Sequence, residues 1–246
     1  MTEFMLNILA GLITAGVGFG LGIAYSRIRG FQRFRHLERV IPRDRRVQLV
    51  LPSAQVKSFL VKGESTEAYF PSNVLIMPMP EGEAIATLVD CLRSLPRGVH
   101  VDLTTDEKVS SSYGLTISVG GPSVNHYSRR LLATDYPVFA LKYPDHVAAY
   151  GSTTFVPQRG KSDDLLEDYG FLFCSRHDAE HRCIVLCGVW GTGTRAAVQG
   201  LIQLPPSSDA ARSLATSSRT FLAFRTQISG LEAGAVRLMI HIVQEQ

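Results

Sequence analysis

The stretch TISVGGPSVNHYSRRLL, residues 116–132, decides the predicted fold. Residues 115–119 are rich in apolar and β-branched side chains, as in a buried strand, and the pattern of residues 124–133 predicts a helix. The turn between them begins with two glycines and a proline, which is more than a reversal of chain direction needs. A strand, a turn and a helix in this order are typical of a parallel α/β sheet, in which ligands bind beyond the carboxyl ends of the strands.

Strand and helix patterns alternate through the rest of the chain. Strands are predicted at residues 47–51, 73–77, 99–103, 138–141, 170–174, 183–187, 221–228 and 236–243. Further helices are predicted at residues 83–95 and 196–204. Strands followed by helices favour parallel βαβ units, and the late hairpins add antiparallel partners. We therefore predict one α/β domain over residues 47–246, built on a Rossmann-like, mostly parallel sheet with antiparallel edge strands.

A long apolar run precedes this domain. Residues 4–25 (FMLNILAGLITAGVGFGLGIAY) contain no charged side chain. A helix of this length crosses the roughly 30 Å hydrocarbon core of a bilayer. A cleaved signal peptide and a buried core helix are the alternatives, but the run lacks a basic start and a clean cleavage site. The prediction is a single transmembrane anchor over residues 1–25, which places an N-terminal transmembrane helix in the fold class.

A basic juxtamembrane segment, residues 26–46, follows the predicted anchor. It contains eight arginines and two acidic residues, although the formal net charge of the whole chain is only +3. By the positive-inside rule, the N-terminus lies outside a cell membrane and the main domain is cytoplasmic. The four cysteines then read as reduced thiols. Phe31 and Phe34 interleave with the arginines, which favours membrane lipid over nucleic acid as the partner of this segment.

Glycines recur at four-residue spacing within the predicted anchor. Gly16 and Gly20 lie on one helix face, and small residues at this spacing allow two membrane helices to approach closely. The chain is therefore expected to form a homo-oligomer through this face. The alternative is that glycine is simply frequent in membrane helices.

The first glycine-rich turn has the features of a ligand-binding loop. Gly120 and Gly121 remove side chains where a ligand would approach the backbone, and Pro122 suits the start of a helix. Free N–H groups from Ser123 onward favour an anion such as a phosphate. The amide of Asn125 can both donate and accept, as a base or sugar edge requires.

A second turn, after residues 183–187, repeats this arrangement. Its predicted ligand-binding residues are Trp190, Gly191, Thr192, Gly193 and Thr194. The spacing matches the relaxed dinucleotide fingerprint G-x-G-x-x-G/A, but residues 211–217, where the acidic residue about 20 positions further on is expected, contain no acidic side chain. The turn therefore predicts a backbone-lined nucleotide site without a dinucleotide cofactor. The alternative for both turns is that the glycines only pack a helix onto a strand.

The two turns carry a resemblance. The segments GGPSVN and GVWGTGTRAA, with DYGFLFCSRH between them and a closing FLAFRTQISG…VRLMIHIV hairpin, resemble an uncharacterised Rossmann-like α/β domain of prokaryotes. In that family, GGPxxN and GTxxA turns recur in membrane-tethered and regulator-fused proteins. The resemblance covers roughly residues 70–246 and implies the fold and the ligand edge, but no reaction. One span before a Rossmann-like sensor is also similar, in architecture only, to membrane-tethered CARF-type proteins that bind cyclic oligonucleotides.

Candidates for catalysis are few. Asp102 and Asp106 sit at the end of one predicted strand and could act as acid and base or hold Mg²⁺. Lys142 and His146 end another, where Lys142 could contact phosphate and His146 could act as a base. Each pattern also fits a solvated loop after a strand. The chain lacks a nucleophile elbow, a P-loop and the HExxH pattern.

A metal site is not predicted. Cys174, His177, His181 and Cys183 have a spacing that resembles a zinc site, but a strand–turn–strand arrangement would separate the cysteines from the histidines. No cofactor is certain, and a nucleotide is the possible ligand.

Three functions remain open on the sequence. The first is a membrane-anchored cytoplasmic sensor that binds a nucleotide or another phosphorylated small molecule and signals through self-association. The second is an enzyme that acts on a nucleotide-like substrate. The third is a structural membrane adaptor whose glycine turns serve packing alone. A binding module needs only the two turns, so the first function is preferred.

Overall fold

The structure, a computed structural model, describes residues 34–52, 58–61, 64–67, 79–142, 145–178, 180–230 and 232–244. The predicted span at residues 4–25, the glycine face with Gly16 and Gly20, and the predicted strand at residues 73–77 lie outside these ranges. Self-association through the glycine face therefore stays a prediction.

The described residues form five helices and thirteen strands. The helices are α1 (Arg35–Val40), α2 (Met79–Arg93), α3 (His126–Asp135), α4 (Gly191–Gln203) and α5 (Asp209–Thr216), and a 3₁₀ turn covers Asp106–Lys108. The strands are β1 (Arg46–Leu51), β2 (Ser58–Val61), β3 (Glu64–Glu67), β4 (His100–Thr105), β5 (Leu115–Val119), β6 (Phe139–Lys142), β7 (Val147–Tyr150), β8 (Thr153–Phe155), β9 (Gln158–Arg159), β10 (Leu165–Arg176), β11 (Arg182–Gly188), β12 (Arg219–Ser229) and β13 (Glu232–Gln244).

The main sheet is mixed, so the predicted mostly parallel sheet is wrong. Its strand order is β13-β12-β10-β11-β5-β1-β4, with β9 paired to β10. Strands β11, β5, β1 and β4 pair in parallel, whereas β10, β12 and β13 pair in antiparallel. The antiparallel part is half the sheet because β10 lies between β11 and β12, both of which run opposite to it.

The predicted strand at residues 138–141 does not join the main sheet. It forms β6, which pairs with β7, and β7 pairs with β8, in a separate three-stranded antiparallel sheet. These strands are short and follow one another closely, and a parallel partner would need a crossover of a dozen or more residues. Consecutive hairpins are the arrangement that such short connections allow.

The predicted fold class also included a transmembrane helix, and this part of the prediction is corrected. Among the described helices, none is long and apolar enough to cross a membrane. The longest, α2, has 15 residues, whereas a transmembrane helix needs about 20. The fold class is therefore an α/β domain with a mixed sheet of parallel and antiparallel strands.

Two apolar cores cover the two faces of the main sheet. Helices α1, α2, α4 and α5 pack on one face, and α3 with the β6–β8 sheet packs on the other. Neighbouring residues of one strand enter different cores, as Ile184 and Val185 of β11 show. The predicted helices at residues 83–95, 124–133 and 196–204 are confirmed as α2, α3 and α4, with shifted ends. Helix α5 is not among the predicted helices.

Candidate functional site

The two glycine-rich turns lie side by side. Strands β5 and β11 are parallel neighbours, so both turns leave the same edge of the sheet. A Cβ built on Gly121 would lie 3.9 Å from the carbonyl oxygen of Gly188. The structure thus brings together the two loops that the sequence singled out.

In the first turn, Asn125 caps helix α3 from within. Its side-chain oxygen accepts a hydrogen bond from Ser128 N at 3.1 Å, and its Nδ2 donates to Val119 O at 3.0 Å. The residue is fully buried. Ser128 Oγ donates to Gly120 O at 2.9 Å, which closes the turn. The donor and acceptor that were predicted to face a base or sugar are therefore both engaged inside the protein.

Asp106 holds the start of the same helix. Its Oδ2 accepts a hydrogen bond from His126 N at 2.7 Å, and only 3% of the residue is exposed. A carboxylate at a helix N-terminus is stabilised by the free N–H groups and by the helix dipole. Asp106, a predicted acid–base candidate, takes the position in which a ligand phosphate was expected. Pro122 and Ser123 lie on the surface side of this turn, where Pro122 O accepts from Arg129 Nε at 2.7 Å.

A second buried carboxylate occupies the equivalent position in the second turn. Asp168, which has no exposed surface, accepts a hydrogen bond from Thr192 Oγ1 at 2.5 Å and another from Gly193 N. Its Oδ1 accepts from Tyr169 N at 2.8 Å. Burial raises the pKa of Asp168 to about 6, against the lowering effect of these hydrogen bonds. Sequence reasoning missed this residue because nothing in the order of residues links β10 to the start of α4.

The glycines of the second turn have a packing role. A Cβ on Gly188 would lie 2.3 Å from the backbone of Gly193, and a Cβ on Gly193 would lie 2.2 Å from Tyr169 O. A Cβ on Gly170 would meet Gly193 O at 2.2 Å. Helix α4, which begins at Gly191 and buries Thr194, thus packs directly on the backbones of β10 and β11. The packing interpretation, left open by the sequence, accounts for these glycines.

Trp190 is covered on one side by His146. Their rings stack with centroids 3.9 Å apart, and the guanidinium carbon of Arg159 lies 5.0 Å from the centroid of the Trp190 ring. The structure therefore brings the catalytic candidate His146 to the second turn, but as a stacking partner of the predicted ligand platform. Lys142 is exposed at the end of β6 in the small sheet.

Asp102 belongs to a surface network on the edge strand β4. Tyr113 Oη donates to its Oδ2 at 2.8 Å, His100 Nε2 lies 3.0 Å from Oδ1, and Arg46 Nη2 lies 3.4 Å from Oδ2. The hydrogen bond from Tyr113 is the main cause that holds the pKa of Asp102 below its usual value. Asp102 lies within the strand and not beyond its end, so it is remote from the glycine turns.

The zinc-like spacing does not produce a metal site. Ser175 pairs with Cys183 across β10 and β11, so Cys174 and Cys183 point to opposite faces of the sheet. Cys174 Sγ donates to Leu214 O on one face, and Cys183 Sγ contacts Tyr127 Oη at 3.1 Å on the other. Burial raises the pKa of both thiols. In the described ranges no group of three or more possible metal ligands converges.

Three adjoining cavities lie at the opposite edge of the sheet, around the turn between β10 and β11. Their volumes are about 600, 500 and 210 Å³. The first two share Asp178, His181 and Arg182, and the last two share Tyr127, Arg130 and His177. We call these cavities together the amino-edge groove, because β5 and β11 begin there.

The amino-edge groove offers free positive charge. The guanidinium groups of Arg39, Arg43 and Arg130 make no ion pair or hydrogen bond with any residue in the described ranges. By contrast, Asp178 is satisfied internally: its Oδ1 accepts from Glu180 N and His181 N, and its Oδ2 lies 2.6 Å from His181 Nδ1. These contacts lower the pKa of Asp178 to about 2, and the hydrogen bond from Glu180 N is the largest cause. The hydrogen bond with Asp178 in turn raises the pKa of His181.

Comparisons with known proteins add no family. No protein-family model matches the chain, and no curated protein is significantly similar to it in sequence. The resemblance to a prokaryotic Rossmann-like domain therefore stays a prediction.

Proposed function

We propose that this protein is a binding domain for a phosphorylated small molecule, with a nucleotide as the ligand class, and that the ligand occupies the amino-edge groove. One observation carries the proposal. Cavities of about 500 and 210 Å³ share the unpaired guanidinium of Arg130, next to the ring of Tyr127. An arginine fork suits a phosphate, and a pocket of several hundred cubic ångströms with one apolar wall suits the rest of a nucleotide.

The glycine turns are the weaker place for such a ligand. At both helix starts the N–H groups that would hold a phosphate already bond to a buried carboxylate, Asp106 or Asp168. A phosphate that approached either turn would meet this like charge in a low-dielectric setting, where repulsion is strong. In the two cavities that share Arg130, the carboxylates already face cations, Asp178 with His181 and Asp135 with His177 and Arg219, and the guanidinium of Arg130 is left for the phosphate.

A binding role is preferred over an enzyme. The four acid–base candidates do not converge: Asp102 joins a surface network, Asp106 holds a helix start, Lys142 ends a strand of the small sheet and His146 stacks on Trp190. A general acid and base must both reach one reacting group.

Isothermal titration of the full chain with mono-, di- and cyclic nucleotides tests the proposal. A ligand is expected to bind the unchanged chain, and Arg130→Gln is expected to weaken binding by at least about tenfold, because a charge-assisted hydrogen bond to phosphate is lost. Thermal unfolding gives a second readout, since a ligand at 100 times its Kd stabilises by about 2.7 kcal/mol.

Arg129→Gln is the matched control. It removes the same charge from the neighbouring position of α3, where the side chain bonds to Pro122 O and lines none of the three cavities. This variant should keep the affinity of the unchanged chain within about threefold. The absence of binding by any nucleotide, or an equal loss in both variants, would refute the proposal.

A further inference from the structure

We propose that the amino-edge groove selects guanine nucleotides, with the carboxylate of Asp135 accepting the two adjacent N–H groups of the base and Arg130 taking the phosphate. This inference rests on the proposed function and specifies the ligand of the same site.

Asp135 is a buried carboxylate whose partners are two long ion pairs. Only 4% of the residue is exposed, and no hydrogen bond reaches its Oδ2 from any described residue. The ion-pair partners are His177, whose Nε2 lies 3.5 Å from Oδ2, and Arg219, whose Nη2 lies 3.8 Å from Oδ1. Long ion pairs leave the hydrogen-bonding capacity of a carboxylate unfilled, so two donors from a ligand would stabilise it further.

The position of Asp135 in the fold further disfavours its negative charge. It is the last residue of α3, where the helix dipole and the free carbonyl groups disfavour negative charge. Its neighbour Tyr136 is no donor to it, because Tyr136 Oη donates to the backbone carbonyl of Cys174 in the main sheet at 2.6 Å.

Asp135 lines the 210 Å³ cavity together with Arg130 and Tyr127. This cavity is smaller than the roughly 300–1,000 Å³ that hold whole ligands, so it suits one end of a molecule. It adjoins the 500 Å³ cavity at Tyr127, Arg130 and His177, which leaves room for the remainder. Arg130 and Asp135 are five positions apart on one helix, about 7.5 Å along its axis. The site thus offers a guanidinium that can bind a phosphate at one end and a carboxylate that can accept hydrogen bonds at the other.

The two oxygens of a carboxylate accept and cannot donate. Guanine presents an imino N–H beside an exocyclic amino group, so its edge offers two parallel donors. Adenine and cytosine present one amino group beside a ring nitrogen that is itself an acceptor, and this acceptor would face a carboxylate oxygen. Asp135 therefore discriminates for guanine and against the other two bases.

The first test uses the unchanged full chain and three ligands: guanosine, inosine and adenosine 5′-monophosphate. Inosine keeps the imino N–H but lacks the amino group, and adenosine lacks the donor pair. By isothermal titration, inosine monophosphate is expected to bind at least about tenfold more weakly than guanosine monophosphate, and adenosine monophosphate more weakly still.

Variants assign the preference to Asp135. Asp135→Asn should reduce the ratio of the affinities for guanosine and inosine monophosphate to about threefold or less. The reason is that an amide presents one acceptor and one donor in place of two acceptors. Asp90→Asn, the same change at an exposed carboxylate of α2 that lines none of the three cavities, should leave this ratio unchanged. If Asp135→Asn does not fold, the ligand series on the unchanged chain decides the question.

The outcomes separate the two proposals. Equal affinities for the three nucleotides, lost together in Arg130→Gln, would overturn the role of Asp135 and leave the binding function in place. No binding of any of them, together with none in the wider panel, would overturn both. A guanosine preference that persists in a folded Asp135→Asn chain would also overturn this inference.

Discussion

At the scale of single residues, two buried carboxylates hold the N-termini of helices in this domain. Asp106 and Asp168 each bond to the first N–H groups of a helix, and both are almost wholly removed from water. Desolvation disfavours the charged form of Asp168, whereas the hydrogen bonds favour it. For Asp168 desolvation is the larger effect, and its pKa rises from the ordinary 3.8 to about 6.

The raised pKa of Asp168 predicts a pH-dependent stability. Because the folded pKa exceeds the unfolded value, the contribution to stability is fully present below about pH 3.8 and is lost as the pH rises through about 6. The free energy of unfolding should therefore fall between pH 4 and pH 7 on account of this group, by roughly 3 kcal/mol at 1.36 kcal/mol per pKa unit.

Urea unfolding at a series of pH values, in parallel on the unchanged chain and on Asp168→Asn, measures this contribution. The difference between the two chains isolates Asp168, since exposed groups such as Asp102 and Asp178, whose pKa values are lowered, are common to both. The same dependence on pH in both chains would show that Asp168 does not cause it.

At the scale of elements, the two glycine turns perform different tasks despite similar sequences. In the first, glycine mainly serves the turn: Gly120 adopts a φ of +100°, a conformation that favours glycine, while a Cβ on Gly121 would find only ordinary contacts at 3.5 Å or more. In the second, glycine allows α4 to lie against the backbones of β10 and β11. The close packing of that helix requires the absence of side chains.

Alanine at one glycine of each turn distinguishes these tasks. Gly188→Ala places a Cβ 2.3 Å from the backbone of α4, which must shift, so a loss of stability of about 3 kcal/mol or more is expected. Gly121→Ala is the matched control and should change stability by less than about 1 kcal/mol, because its Cβ fits. The midpoints of urea unfolding give both values, and similar losses in the two variants would contradict the packing role.

At the scale of the whole molecule, the mixed sheet separates two cores, and the four cysteines lie within them or at their border. Cys91, Cys174, Cys183 and Cys187 are between 0% and 8% exposed. Burial raises the pKa of the last three, and the thiolate is the reactive form. The cysteine thiols are therefore expected to react with reagents only when the fold opens.

A disulfide-exchange reagent should react slowly with the folded chain and rapidly with all four thiols after unfolding in urea. The reason is that both access and thiolate formation require the cores to open. The rate of release of the coloured thiol anion, recorded with and without urea, checks this. Rapid reaction of one thiol in the folded protein would show that the fold opens locally at that position.

Local pattern predicted the elements well where one periodicity dominates. Apolar spacing and turn residues that are close together in the sequence predicted strand β5 and helices α3 and α4. Sheet order did not follow, because the pairing of β10 between β11 and β12 depends on contacts between distant segments. The same limit hid Asp168 from sequence reasoning, since its partners are about 24 residues further along the chain.

The sequence by itself determined the α/β class, the helices α2, α3 and α4, and the placement of each of the two glycine turns after a buried strand. These features rest on periodicity and on backbone preferences that act over a few residues. Only the tertiary structure decided that the sheet is mixed, that Asp106 and Asp168 hold the helix starts, and that a groove forms around Arg130 and Asp135 at the other edge. The physical reason is that a cavity and a buried charge depend on which distant surfaces meet, and no local pattern encodes that meeting.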